Sequence, residues 1–234
     1  SVVYQQYISD TPTTIVSNLK DDGYTCIAMH PYYETGWSRN LVYPHIGFDE
    51  MHFIDYFDQT KILREYITDQ ELYDKIIKRY ENRKNNEKLF FMGITMQNHG
   101  GYTETYDNFP ENYYKVGRSY TDANQYLSLV HESDEAVKNL ISYFSKVDDP
   151  VEIIFFGDHQ PSLNSNFYPI LNGKGLTGLT EDELEKLYTV PFFIWTNYDT
   201  PEETVDITSL DYLSTMALER AGIELPAYNK FLAD

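Results

Sequence analysis

Read for alternation of apolar and polar positions, the chain falls into a helix–strand succession. Thr11 followed by Pro12 reads as a helix N-cap with proline at the first helical position. Ile15, Val16 and Leu19 give that helix one apolar face, and Gly23 ends it. Tyr24–Met29 (YTCIAM) is the next strand, closed by His30-Pro31. Gly36 to Arg39 lies at a loop-to-helix junction, with a short helix through about His45 and a strand near Met51–Ile54. Asp55–Ile67 reads as an irregular acidic-aromatic loop. The spacing then predicts a helix over Thr68–Lys84, opened by a Thr68/Glu71 capping box, with Lys75, Lys78, Arg79 and Arg83 as a solvated face.

Lys88–Met96 (KLFFMGITM) is a buried strand, and Tyr120–Lys146 a long helix after a tyrosine-rich loop. In Val151–Phe156, every residue but Glu152 is apolar and either β-branched or aromatic, the pattern of a strand covered on both faces. Asn164–Thr177 reads as a glycine-rich loop, Thr180 and Glu183 as a helix cap, and Val190–Trp195 as a strand near a sheet edge because of Pro191. Thr208 with Asp211 caps a last helix ending near Gly222, and 223–234 reads as a tail. Helix and strand alternate without repeats or a long linker. The fold class is therefore α/β: a doubly wound, mostly parallel sheet with helices on both faces, in one domain over 1–234.

Composition narrows the function. With 41% hydrophobic and 16% aromatic residues in 234, the chain can fill a sizeable core. Its formal charge of −19 argues against nucleic acid, which needs a basic face, and against a polybasic lipid anchor. An anionic substrate in a pocket remains compatible, because a metal and an arginine set the local field. The single cysteine, Cys26, lies in a predicted strand and reads as a buried, inert thiol. No apolar run approaches the about 20 residues of a membrane span. The opening Ser-Val-Val reads as mid-domain sequence, so the expectation is a piece of a longer protein.

Two strand exits carry candidate chemistry. Gly157, Asp158 and His159 follow the 151–156 strand. At an exit, where glycine allows a turn, neighbouring carboxylate and imidazole side chains converge on one ion, which inside a strand they cannot do. Oxygen plus nitrogen donors suit Mn²⁺, Zn²⁺ or Fe better than Ca²⁺. The plainer reading is a polar turn with a capping Asp and a surface His. Gln97-Asn98-His99-Gly100-Gly101 repeats the arrangement after its own strand, and His99 suits a hydrogen bond to an oxyanion or general acid–base work. Trp37 and Arg39 suit a pocket wall and a fork of donors for phosphate or sulfate. A core tryptophan beside a surface arginine is the alternative. His45, His52 and His131 read as structural.

Assembled, these pieces resemble the lipoteichoic acid synthase family of the sulfatase and alkaline-phosphatase superfamily. The resemblance rests on GWSRN (Gly36–Asn40), IGFDE (Ile46–Glu50), MQNHGGY (Met96–Tyr102), HESDEAVKNLISYF (His131–Phe144) and FFGDHQPSL (Phe155–Leu163), in order over roughly residues 12 to 200. It implies one divalent ion, Mn²⁺ first with Mg²⁺, Zn²⁺ or Ca²⁺ as alternatives, held by Asp158 and His159 together with an upstream Glu and a nucleophilic Thr. It makes Trp37, Arg39 and His99 contacts to the substrate phosphate, and places a pocket histidine at His30. It further implies transfer of glycerophosphate from a phosphatidylglycerol-type lipid through a phospho-threonine, at the extracellular face of a bacterial cell membrane. Phospholipid head groups or a glycerophosphate polymer would be the partners, with membrane attachment only through a region N-terminal to this chain. Neither the Glu nor the Thr stands at the expected place here, so the chain is expected to be the C-terminal part of the catalytic domain, inactive alone and a weak metal binder. The alternatives are a sulfatase or phosphodiesterase of the same superfamily, and a non-catalytic module reading glycan or lipid head groups.

Overall fold

The computed structural model describes residues 4, 12–109, 116 and 120–234. They divide into two compact units, Ser1–Leu140 with Pro161–Leu184, and Ile141–Gln160 with Glu185–Asp234.

The first unit is built on a parallel sheet ordered β2-β1-β5, from strands β1 (Tyr24–Met29), β2 (Glu50–His52) and β5 (Lys88–Gly93). The most apolar run, Cys26 to Met29, is the central strand and is almost wholly buried, as a strand flanked by two parallel neighbours should be. Helix α1 (Ile15–Asp21) packs on β1 and buries Val16 and Leu19. Its N-cap is Thr14, in a reciprocal box with Ser17. The expected cap, Thr11, lies outside the described residues. Helix α2 (Arg39–Ile46) leads to β2 and ends on Gly47 at φ 101. Helix α3 (Asp69–Glu81) packs on β5, where a Cβ at Gly93 would meet Ile76 and Leu72 at 3.4 and 3.5 Å. Helix α4 (Thr121–Phe144) carries the chain onward, its last residues belonging to the second unit.

Several expectations are corrected. The stretch 55–67 contains a hairpin, β3 (Ile62–Leu63) with β4 (Tyr66–Ile67), whose two-residue turn puts Arg64 at φ 54. The predicted capping box of α3 is half formed: Thr68 caps the Glu71 amide, while the Glu71 carboxylate accepts from the Asp58 amide instead. Arg79 is not a solvated charge. It forks to Glu50 and Glu87, tying α3 to β2 and to the approach to β5. The β5 ladder stops at Gly93, opposite the last residue of β1, so 94–96 leave the sheet earlier than the apolar pattern suggests. Within 164–177 a short helix α5 (Tyr168–Asn172) forms, and Thr180 with Glu183 does cap α6 (Glu181–Glu185).

The second unit holds β6 (Glu152–Phe156) and β7 (Phe192–Thr196), paired antiparallel from Glu152↔Thr196 to Phe156↔Phe192. Asn197 fastens the pair by donating to the carbonyls of Phe144, Val147 and Asp149. Helix α7 (Leu210–Arg220) begins after Ser209 rather than Thr208. The expected tail contains helix α8 (Ala227–Ala233), whose buried Asn229 donates to Ser214 and Thr215 of α7. The whole is an α/β fold with a parallel sheet and helices, as the sequence pattern predicts.

Candidate active site

Strands β1 and β5 are parallel neighbours, so their C-terminal ends open side by side. Loops at that edge are where α/β sheets place ligands. His30 leaves β1 there. It is 2% exposed, and its Nδ1 lies 2.8 Å from the Ile94 carbonyl in the β5 exit. Burial pushes its pKa down to about 4, the Ile94 carbonyl opposing this and the positive charge of Arg39 adding to it. His30 is therefore neutral near pH 7. With Nδ1–H donating to Ile94, its Nε2 is an acceptor.

The segment after β1 turns through Gly36 to Ser38, with Trp37 at φ 58 and Ser38 at φ 57. Left-handed backbone at a non-glycine residue costs of order 1–3 kcal/mol, and here two successive residues adopt it. The result is a 58% exposed Trp37 beside an Arg39 only 8% exposed. Of the two readings of this pair, the core tryptophan with a surface arginine is the one the burial overturns. Arg39 starts α2, donates from Nε to the Tyr43 hydroxyl at 3.2 Å and from Nη1 to the Gly36 carbonyl at 3.0 Å. Among the described residues, its Nη2 has no protein acceptor.

The β5 exit carries His99, whose imidazole is exposed. Its Nδ1 lies 3.2 Å from the Tyr66 hydroxyl on the hairpin. Nδ1 is thereby engaged, and Nε2 is the nitrogen left for a ligand. Gly101 at φ 92 makes the turn that follows. Rings run from His30 through Tyr32 (centroids 6.1 Å) and Tyr66 (6.3 Å) to His99 (5.5 Å). Tyr32 also sits under Gly36, with Cδ1 3.6 Å from where a Cβ would be. His30, Arg39 and His99 thus belong to one aromatic-walled region of the first unit.

Sequence reading misses the residue that holds this region together. Arg64 is buried, and its Nη2 donates to the carbonyls of Gln97 (2.9 Å) and His99 (2.7 Å). Its Nη1 donates to the Gly101 carbonyl and to Gln125 Oε1. Tyr102 and Tyr66 present ring faces to the guanidinium at 5.3 and 5.7 Å, compensating a buried charge without a carboxylate. The available signal was the ILREYI string, two apolar or aromatic pairs around a polar two-residue break. It lacked the glycine or asparagine that marks such turns.

Asp158 and His159 leave β6 in the second unit. His159 Nε2 lies 3.4 Å from Asp158 Oδ2, both side chains strongly exposed, and His159 Nδ1 is 2.9 Å from the Gln160 carbonyl. Gly157 is needed for approach rather than for turning: a Cβ there would meet Val190 Cβ at 3.1 Å. The pair presents one carboxylate and one imidazole to solvent, donors suited to a first-row divalent ion. Among the described residues no three His, Cys, Asp or Glu side chains cluster as a metal site.

These features sit on an α/β fold with a parallel sheet, and comparison with known proteins gives the family. The Sulfatase family model matches residues 1–223, and the chain belongs to that family. A Rhizobium meliloti (strain 1021) protein provisionally assigned to cyclic β-1,2-glucan modification is 28% identical over 240 residues, covering 99% of this chain and 37% of the relative. Lipoteichoic acid synthase of Staphylococcus saprophyticus is 30% identical over 146 residues, covering 60% of this chain and 22% of the synthase. The chain thus spans less than two fifths of these relatives. Among solved structures, Streptococcus pyogenes phosphoglycerol transferase GacH, in complex with sn-glycerol-1-phosphate, superposes with a TM-score of 0.78 at 22% identity, over all of this chain and 59% of that one. That likeness is one of fold.

Proposed function

We propose that the 234 residues are part of a single catalytic domain that transfers phosphoglycerol, in the manner of a lipoteichoic acid synthase, from a phosphatidylglycerol-type lipid to an acceptor hydroxyl. What supports this reading is that His30 and the segment bearing His99 leave adjoining ends of β1 and β5, while Arg39 bonds to Gly36, which lies over Tyr32 of the same aromatic wall. A sulfatase-family chain with a buried, oriented guanidinium and an imidazole nitrogen left for a ligand is equipped to bind a tetrahedral anion. Arg39, held on Gly36 and Tyr43, would turn Nη2 to a phosphoryl oxygen. His99 would donate from Nε2 near the leaving oxygen, and Trp37 would wall the pocket and exclude water.

Asp158 and His159 would hold a divalent ion, Mn²⁺ by preference. Such an ion supplies positive charge and lowers the pKa of a bound hydroxyl. The nucleophilic threonine and a further glutamate ligand would lie upstream, together with the membrane attachment that places the domain outside the cell. That arrangement accords with the chain covering 37% of its glucan-modifying relative and 22% of the synthase. A sulfatase would use the same anion site. The anion-binding groups favour either enzyme over a binding module.

The test is turnover of a fluorescent phosphatidylglycerol and of bis(p-nitrophenyl) phosphate by the full-length protein. Arg39→Lys should lower kcat/KM by about 100-fold, the loss typical of a transition-state donor. Unchanged turnover in Arg39→Lys would overturn the reading, and hydrolysis of an aryl sulfate in preference to both substrates would replace it with the sulfatase.

A further inference from the structure

The two residues before His99 are held through both their backbone and their side chains. The Gln97 carbonyl accepts from Arg64, and the Asn98 carbonyl from the Tyr102 hydroxyl at 2.7 Å. The amide of Asp69, the first residue of α3, donates to Gln97 Oε1 at 3.1 Å. That bond turns Gln97 Nε2 toward Ser133 Oγ, 3.3 Å away on α4. Asn98 Nδ2 donates to the same oxygen at 2.9 Å, and Ser133 itself donates to the Asp69 carboxylate. Asp69, Gln97 and Ser133 are all buried.

One group fixes the direction of these bonds. Burial raises the Asp69 carboxyl to about 6, with hydrogen bonding opposing, so it is an anion at neutral pH and offers only acceptors. The positive end of α3 favours that anion. Ser133 must therefore point its single proton at Asp69, and its two lone pairs take the Gln97 and Asn98 amides.

We propose that Ser133, aligned by Asp69, is a positioning residue for His99, fixing the segment that aims the imidazole at the leaving oxygen of the transferred phosphoryl group. The proposal rests on the phosphoryl-transfer reading for the leaving oxygen, and on the hydrogen bonds for the positioning. A plain staple would not need this form. Apolar side chains of similar volume would join α3, α4 and the β5 exit without desolvating an anion, an amide and a hydroxyl, and such exchanges are often neutral or stabilising. A fully satisfied polar network restricts the segment to one arrangement instead. His99 is where a single arrangement matters. Its exposed imidazole is bonded at Nδ1 to Tyr66, so the aim of Nε2 is set by that hydroxyl and by the backbone behind it. A displacement of about 1 Å at such a donor can cost about 100-fold in rate.

The experiment compares two phosphodiesters in the full-length protein. A fluorescent phosphatidylglycerol must expel an alkoxide, which needs a proton, whereas bis(p-nitrophenyl) phosphate expels a stable phenolate. Ser133→Ala should lower kcat about tenfold on the lipid and less than about twofold on the aryl ester, with KM unchanged for both. Ser133→Thr, which keeps the hydroxyl, should restore most of the loss. Ala136→Gly, which weakens the same helix outside the network, should leave both kcat values unchanged. An equal fall on both substrates, as a folding defect gives, or a loss that Ser133→Thr does not restore, would overturn the positioning. Hydrogen exchange supplies a readout that needs no turnover. Amides 97–99 should exchange faster in Ser133→Ala than in wild type, and unaltered protection there would overturn the proposal as well. Arg39→Lys separates the two claims, since it should lower turnover of both substrates. If it does not, the phosphoryl-transfer reading fails and exchange alone decides whether Ser133 fixes the segment. If it does, and Ser133→Ala shows no split between substrates, the positioning fails while the transferase reading stands.

Discussion

At the scale of single residues, the charge that matters most to the first unit is Arg64, because four acceptors depend on one guanidinium. Replacing it by lysine keeps the charge but cannot span Gln97, His99 and Gly101 at once. Arg64→Lys is therefore expected to cost about 2 kcal/mol or more, from carbonyls left unsatisfied. Faster hydrogen exchange confined to 97–101 would mark the loss as local, and uniform exchange would contradict it. His30 adds a pH-dependent contribution. Its folded pKa of about 4 lies below the ordinary value of 6.5, so the unfolded chain takes up the proton first as pH falls. The stability tied to neutral His30 is complete above about pH 6.5 and is lost on the way down to about 4, at most about 3 kcal/mol. Asp69 and Glu152 act in the opposite sense, since burial raises their carboxyls to about 6 and about 7 and the fold holds their protons more tightly. Urea melts between pH 7 and 4 should therefore show His30→Asn, whose amide can still donate to Ile94, losing less stability or gaining more on acidification than wild type. An unaltered slope would assign the dependence elsewhere.

Elements separate what the sequence made legible from what it did not. The strand of Tyr24–Met29 and the long helices were readable because burial on both faces, or on one stripe, leaves a periodic trace. Glu152–Phe156, although a strand, is half-buried rather than covered on both faces as its apolar run predicts. The hairpin at 62–67 left none: each strand has two residues and the turn uses Arg-Glu. Helix α8 was hidden for a related reason, its one buried anchor being the polar Asn229. Asp158 and His159 are legible as strand-exit residues because they follow an apolar strand almost at once, and His99 because it lies in the segment that leaves β5. Which exits adjoin was not readable, because pairing partners are set by tertiary contacts. Arg79 was misread from helical spacing alone, since its partners stand 29 residues before and eight after it in the chain. This element-scale tie yields a prediction. Arg79 bonding pulls Glu87 down to about 2, so that stability is present above about 4.5 and lost as pH falls through about 2. Arg79→Ala should cost about 1–2 kcal/mol at pH 7. The gap to wild type in denaturant melts should narrow below pH 4. A gap that persists at pH 2 would mean the loss is packing of the arginine stem instead.

For the whole molecule the governing quantity is a formal charge of −19 on 234 residues. Such a chain gathers divalent cations diffusely, through its summed field, whether or not it owns a metal site. The exposed Asp158–His159 pair contributes two donors, and a stable site for a first-row ion ordinarily needs four or more. Calorimetric titration of the chain with Mn²⁺ should therefore give weak uptake whose apparent stoichiometry exceeds one and falls as NaCl rises from 10 to about 150 mM, where the Debye length contracts to about 8 Å. Beneath that diffuse background, Asp158→Asn with His159→Ala should remove at most one weak equivalent. Tight uptake of a single Mn²⁺ that resists 150 mM NaCl and vanishes in the double variant would mean the chain carries a complete site, and the upstream glutamate and threonine would no longer be required. Salt-sensitive uptake identical in both proteins would remove Asp158 and His159 from the metal altogether and leave the proposed anion site at the ends of β1 and β5 to account for the chemistry.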